Sequence, residues 1–227
     1  MVERLPYTQN VVSSNLAGPT TSMNTEFKIH TIFPIAVATT DNLQFPVEEH
    51  NTILNSEFSI DTKNGPFYVS DNKYILDTVP LLKKWIQDQV DIYSRDVLGS
   101  DKLKFTQSWA IKHQNEPQRI FTHSHANSII SGSYYIDAPD GSEALTFVKS
   151  NYRNGPYLEY KKNSDNKPWL WDQIKYRAYT GRLILFPSNL LHGVLGNEAN
   201  DQRRCVLAFN TWFANPIGSK EELTYLD

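Results

Sequence analysis

Only one cysteine, Cys205, stands in the 227 residues, so no disulfide can close within the chain and nothing calls for an oxidising compartment. A cytoplasmic setting is expected. Positive charge is not in surplus either: 22 Lys and Arg face 25 Asp and Glu, a net charge of -3, and the basic residues are scattered. Without a basic stripe, a nucleic-acid backbone is not the expected partner. The first twenty residues are rich in Ser, Thr, Asn and Pro and hold no continuous apolar run, so neither a secretory signal nor a membrane anchor is expected there. Residues 1–24 read as an extended arm. There is no internal repeat, and with 40% hydrophobic and 21% charged residues the rest, 25–227, reads as one soluble globular domain.

What is present is one helical stretch among strands. Leu82, Trp85, Ile86, Val90, Tyr93 and Val97 recur at helical spacing, Pro80 suits a first turn, Asp77 or Thr78 can cap, and Gly99 suits a left-handed stop. The pattern predicts a supporting helix over 77–99. Before it, Glu26 to Thr39 reads as an edge strand broken by Pro34. After it, strands are predicted at Phe105–Ile111, Ser128–Ile136, Leu145–Val148, Arg182–Phe186 and Val206–Phe213, with a turn at Ala138-Pro139-Asp140-Gly141. The second half is therefore a meander or jelly roll. An aromatic, irregular stretch over 149–180, with Tyr152, Tyr157, Tyr160, Trp169, Trp171, Tyr176 and Tyr179, is an insertion or a lid.

Of six histidines, two stand as His123-Ser124-His125. In an extended segment, residues i and i+2 face the same side about 7 Å apart, close enough for both imidazoles to reach one ion. His192 follows an apolar strand and a Pro-Ser turn that can return it to the same sheet mouth. Singly, a His-x-His pair or a loop histidine is more often a polar surface feature. Two strand ends that each deliver imidazole make a metal site the better reading. Arg203-Arg204 opens the last strand, and on period-two alternation Arg204 shares a face with Val206, Ala208 and Asn210, while Arg203 shares one with Cys205, Leu207 and Phe209. Whichever arginine faces inward needs an anion, and a dicarboxylate would satisfy it through a bidentate pair.

Ser108-Trp109-Ala110, His123-Ser124-His125-Ala126-Asn127-Ser128 and Ser131-Gly132-Ser133-Tyr134-Tyr135-Ile136, with Gly181 through Phe186-Pro187-Ser188 to His192 and Arg204 through Phe209-Asn210, resemble a family of 2-oxoglutarate/Fe(II) oxygenases of bacteria and phages. Ile32-Phe33-Pro34 is similar to that family's N-terminal signature. The resemblance spans about residues 30–213. It implies a mainly β, double-stranded β-helix (jelly roll) carrying Fe(II), with 2-oxoglutarate as cosubstrate whose far carboxylate meets Arg204.

Two positions depart from the wider superfamily, which uses His-x-Asp or His-x-Glu with a distal histidine. Here His125 stands where the carboxylate is expected. Either His123, His125 and His192 form the ligand set, or Asn127 is an alternative ligand beside His125, or two protein ligands suffice. Val206 stands where many members place a serine that helps hold the cosubstrate, a task left to Tyr134, Tyr135 or Asn210. The implied enzyme is a dioxygenase that hydroxylates a small molecule or protein and releases succinate and carbon dioxide. The competing readings are a cupin-like three-histidine metal enzyme that does not use 2-oxoglutarate, disfavoured because Ile129 and Ile130 stand where cupins carry glutamate, and a non-catalytic jelly-roll binding module.

Overall fold

A computed structural model describes residues 35–42, 45–61, 67–100, 102–113, 119–139, 141–142, 145–149, 171–195, 204–218 and 221. The expected arm, Ile32-Phe33-Pro34, Arg203 and most of the 149–180 segment lie outside those residues. Contacts divide the chain into units 1–35 and 36–227, and the sheets and helices described here belong to the second.

Among the described residues, eleven strands make two sheets in which every pairing of named strands is antiparallel. The larger has the order β1 (Ala38–Asp41), β9 (Arg182–Pro187), β6 (Ile130–Asp137), β11 (Arg204–Phe213), β4 (Leu103–His113), β3 (Phe67–Ser70), β2 (Phe58–Asp61). The smaller runs β5 (Ile120–His123), β10 (His192–Val194), β7 (Leu145–Val148), β8 (Gln173–Tyr176). Phe67, Ile111, Tyr135, Ile184, Phe186 and Val206 of the first pack with Ile120, Leu145, Phe147 and Val194 of the second in one buried cluster, which makes the pair of sheets a jelly roll.

The outer face of the larger sheet is covered by helices α1 (Val47–Leu54) and α2 (Pro80–Tyr93). Leu82, Ile86, Val90 and Tyr93 form the apolar stripe of α2 and are buried against Leu103, Tyr134, Leu185 and Leu207 among others. Each such aliphatic side chain contributes roughly 1.5–3 kcal/mol when fully buried. Gly99 does end the helical stretch in the left-handed region, at φ 61°, after the last turn widens to π geometry over Ser94–Leu98.

The helix start differs from expectation. The N-cap is Val79, and neither Asp77 nor Thr78 caps; the Glu49 carboxylate of α1 accepts from the amides of Leu81 (3.0 Å) and Leu82 (2.8 Å) instead. Pro80 has no amide to satisfy. The edge strand expected over 26–39 is described only from residue 35 and forms β1 at Ala38–Asp41. The end of the supposed insertion, Gln173–Tyr176, is strand β8 paired with β7. Among the described residues, no helix is long and apolar enough to cross a membrane.

Candidate metal centre and its cavity

β5 and β10 pair so that His192 lies opposite His123, with Phe147 of β7 on its other side. His125 lies beyond the end of β5 rather than on the strand, so the two histidines do not share one extended segment as the spacing suggested. The amide of His125 instead donates to the Ser188 carbonyl at 2.8 Å, which draws the loop toward the turn ahead of His192. One nitrogen from each of His123, His125 and His192 lies within 4.8 Å of the others, and the Nε2 atoms of His125 and His192 are 3.2 Å apart.

The backbone fixes the tautomers. His123 Nδ1 is 2.7 Å from the Phe121 carbonyl and His192 Nδ1 is 2.7 Å from the Leu190 carbonyl. A carbonyl can only accept, so both Nδ1 atoms carry the proton and both Nε2 lone pairs are released toward the cluster. Burial, and then the neighbouring His123, holds His125 down to about 4. Burial holds His192 down to about 3, against the opposing pull of the Leu190 carbonyl. At neutral pH these two are neutral imidazoles, the form that binds metal. Nitrogens at about 2.1 Å on adjacent corners of a coordination sphere stand about 3.0 Å apart, so the His125–His192 spacing fits a shared cation. The donor set suits ferrous iron, for which imidazole is a common ligand.

The cluster opens into a cavity of about 440 Å³ between the sheets, walled by residues that include Trp109, Phe186, Tyr135 and Arg204. Trp109 lies 5.7 Å from His125 and Phe186 lies 4.6 Å from His192, ring to ring, so aromatic surface flanks two of the three imidazoles. Arg204 lies on the cavity side of β11 with Val206 and Ala208, while Cys205, Leu207 and Phe209 pack on the helix side. Its guanidinium sits 3.4 Å from Nε2 of His113, the residue directly across on β4, and 5.8 Å from the Tyr135 ring. Burial first, and the Arg204 charge second, hold His113 down to about 2, so it stays neutral and accepts from the arginine. Arg204 thus presents a buried guanidinium beside a neutral acceptor and an aromatic face at the cavity wall.

Not every candidate arrives there. Tyr134 points to the opposite face of β6, where its hydroxyl is 3.1 Å from His50 Nε2 in the helix layer; its neighbour Tyr135 occupies the cavity side. Asn210 is buried but bonded to Ser131 at 2.8 Å and is absent from the cavity wall. Asn127 is exposed in a left-handed turn, φ 54°, and is likewise absent from that wall. Sequence reasoning missed His113, although its place four residues after Trp109 on one strand puts both on the same face by period two.

Residues 107–210 match the model of a family described as "Putative 2OG-Fe(II) oxygenase". No curated protein matches the sequence. Among solved structures, the chain is similar to the epimerase SnoN of nogalamycin biosynthesis, described as non-heme and α-ketoglutarate dependent (TM-score 0.56, 11% identity, 80% of each chain covered). It is also similar to HygX from Streptomyces hygroscopicus with nickel, 2-oxoglutarate and hygromycin B bound (0.53, 11%, 78% of this chain and 82% of that one). A prolyl hydroxylase from Trichoplax adhaerens, in complex with a hypoxia inducible factor peptide fragment, is a third (0.53, 15%, 77% and 82%). The class that the matched segment, the jelly roll and the imidazole cluster define is that of enzymes that use iron(II) and 2-oxoglutarate: a 2-oxoglutarate-dependent oxygenase.

Proposed function

We propose that His123, His125 and His192 together hold the ferrous ion, that Arg204 takes the far carboxylate of 2-oxoglutarate, and that the enzyme hydroxylates a small molecule or a protein side chain. The balanced reaction is substrate C–H plus O₂ plus 2-oxoglutarate to substrate C–OH plus succinate plus carbon dioxide. The observation that carries this is the convergence of three imidazole nitrogens within 4.8 Å of one another on the wall of the cavity that also holds Arg204. Asn127, exposed and turned away, is not needed in this ligand set.

Iron bound there supplies activation of O₂ coupled to decarboxylation of the cosubstrate. The chain's own part is placement. The Phe121 and Leu190 carbonyls aim two of the imidazoles, Trp109 and Phe186 keep water from the ligands, and His113 and Tyr135 hold the Arg204 guanidinium against the cavity. With no carboxylate among the three imidazoles, the bound metal retains more positive charge than in a two-histidine, one-carboxylate site, which favours anionic cosubstrates. The His-x-His-x-Asn-Ser stretch that ends at Ser128 supports a place in the bacterial and phage branch. The single buried thiol supports a cytoplasmic setting.

The test is succinate formation from 2-oxoglutarate by protein loaded anaerobically with Fe(II) and then exposed to O₂, with Arg204→Met alongside. Succinate that depends on iron and is lost in the variant is expected. Iron binding with O₂ uptake that is indifferent to 2-oxoglutarate would favour the cupin-like reading, to which an all-imidazole donor set is the one pointer.

A further inference from the structure

Ser128, Ser131, Ser188 and Asn210 come from four separate motif stretches of the sequence, and none touches the cavity wall or the imidazole nitrogens. The fold brings them to one place. Ser128 Oγ lies 2.6 Å from Ser188 Oγ, Ser131 Oγ lies 2.8 Å from Ser188 Oγ, and Ser131 Oγ lies 2.8 Å from Asn210 Oδ1. Ser131, Ser188 and Asn210 are buried and Ser128 is half-buried.

The hydroxyl protons are shared among several acceptors. Ser131 Oγ is placed to donate to both Ser188 Oγ and Asn210 Oδ1, and its single proton serves one contact at a time. Ser128 Oγ accepts from the Thr211 amide at 3.3 Å; either hydroxyl can donate across its 2.6 Å contact with Ser188, and the Ile130 and Thr211 carbonyls, 3.2 and 3.3 Å away, are further acceptors for its proton. The contacts are continuous from Thr211 to Asn210 and tie the three serines into one polar cluster.

The main chain of Ser188 does the rest. Its carbonyl accepts from the His125 amide at 2.8 Å and its amide donates to the Ile129 carbonyl at 3.1 Å, so one residue clamps both ends of loop 125–129. Ser188 also lies in the turn in which the Leu190 amide donates to the Pro187 carbonyl at 2.9 Å, and the Leu190 carbonyl then orients His192. Two of the three imidazoles are thus hung from opposite sides of Ser188. The side-chain run ties that residue to β6 and β11, the centre of the larger sheet.

Resting on the three-imidazole reading, we infer that Ser188, anchored through Ser128, Ser131 and Asn210, is the positioning residue that sets the His125–His192 separation and thereby the metal affinity of the site. An apolar filler at these positions would complete the core equally well. Hydroxyls hydrogen-bonded to both sheet strands fix the height of Ser188 relative to the sheet, and a few tenths of an ångström there move both imidazoles.

The experiment is anaerobic Co(II) titration of the metal-free full chain, following affinity and the visible ligand-field bands, for the wild type, Ser188→Ala, Ser131→Ala and the remote helix variant Ile86→Val as a control for lost stability. Ser188→Ala is expected to weaken Co(II) by about 10- to 100-fold and to shift the bands, with Ser131→Ala weaker in the same direction. Ile86→Val should leave both unchanged though it melts lower. Should Ser188→Ala fail to fold, Ser131→Ala carries the test, since it breaks the run without touching the clamp. Wild-type affinity and bands in the serine variants would overturn the inference and leave the metal centre standing. A wild-type chain that gives no ligand-field bands would instead remove the three-imidazole reading beneath it.

Discussion

On the helix side of β11, Cys205, Leu207 and Phe209 pack with Ile86, Val90 and Leu185 into a face of apolar side chains. On the cavity side of the same strand, Arg204, Val206 and Ala208 look toward imidazoles and open space. β6 divides in the same way, with Tyr134 in the helix layer and Tyr135 on the cavity. Two surfaces one side chain apart in sequence therefore carry different burdens. One supplies the free energy that keeps the sheet in place, and the other spends part of it on buried polar groups that must be held, satisfied and kept dry. Damage to the first should cost stability with the chemistry kept, and damage to the second should cost the chemistry with the fold kept.

The sharpest break falls on the cavity side. His192→Ala removes the imidazole opposite His123 and is expected to weaken Fe(II) or Co(II) by more than about 100-fold, beyond what loss of an outer partner costs. The metal-free variant should keep its melting temperature within a few degrees, because the side chain lost is a buried polar one. Titration and melting curves on the same samples check both halves; a collapse in stability would mean that this face also carries the fold. The converse is Leu207→Ala, which leaves a hole between Tyr134 and Ala110, its partners across the sheet. It should cost about 2–5 kcal/mol in denaturant unfolding, with Co(II) bands of wild-type shape in the folded fraction.

How far the sequence revealed this division depends on the length of each element. The strand boundaries read at Ser128–Ile136 and Arg182–Phe186 agree within two residues with β6 and β9, and the helix stripe from Leu82 to Tyr93 is the stripe observed. Long alternations and long stripes leave a pattern that survives tertiary context. α1 has eight residues and β2, β3, β5, β8 and β10 only three or four, too few for a period to show. The histidines were legible because ligand chemistry restricts residue type and spacing. Tyr134 and Tyr135 stayed alternatives because alternation gives two sets without saying which is inner. His113 and the serine run were invisible for a different reason: their partners come from other strands, 91 residues away for Arg204 and 57 to 79 for the contacts of Ser131.

A subtler way to sharpen the comparison is acid. His113 sits on the cavity side, and its folded state holds it neutral down to about 2, against an ordinary value of 6.5. Below pH 6.5 the unfolded chain takes up a proton that the folded chain refuses, so stability is full above that pH and falls as pH drops from 6.5 toward 2. Relative to His113→Asn, the wild type should lose up to ~1.4 kcal/mol per pH unit in that window. Urea unfolding of both proteins at pH 7 and pH 5 reads the difference, and parallel losses in the two would show that this imidazole is not the acid-sensitive group.

The smallest effect belongs to the helix side and tests whether its layers are joined by more than apolar contact. Glu49 of α1 places one carboxylate oxygen on each of the two amides that α2 cannot bond internally after Pro80, so one residue caps amides 32 and 33 positions further along the chain. Glu49→Gln keeps the shape but has a single accepting oxygen and no charge for the helix dipole. A loss of about 0.5–2 kcal/mol is expected, the range for a removed N-cap. Glu49→Ala should lie at the top of that range, and both variants should bind Co(II) as the wild type does. Two equal losses would mean that the one hydrogen bond Gln can keep contributes nothing. A change in Co(II) affinity would mean that the helix layer reaches through the sheet to the imidazoles, and the division between the two faces would no longer hold.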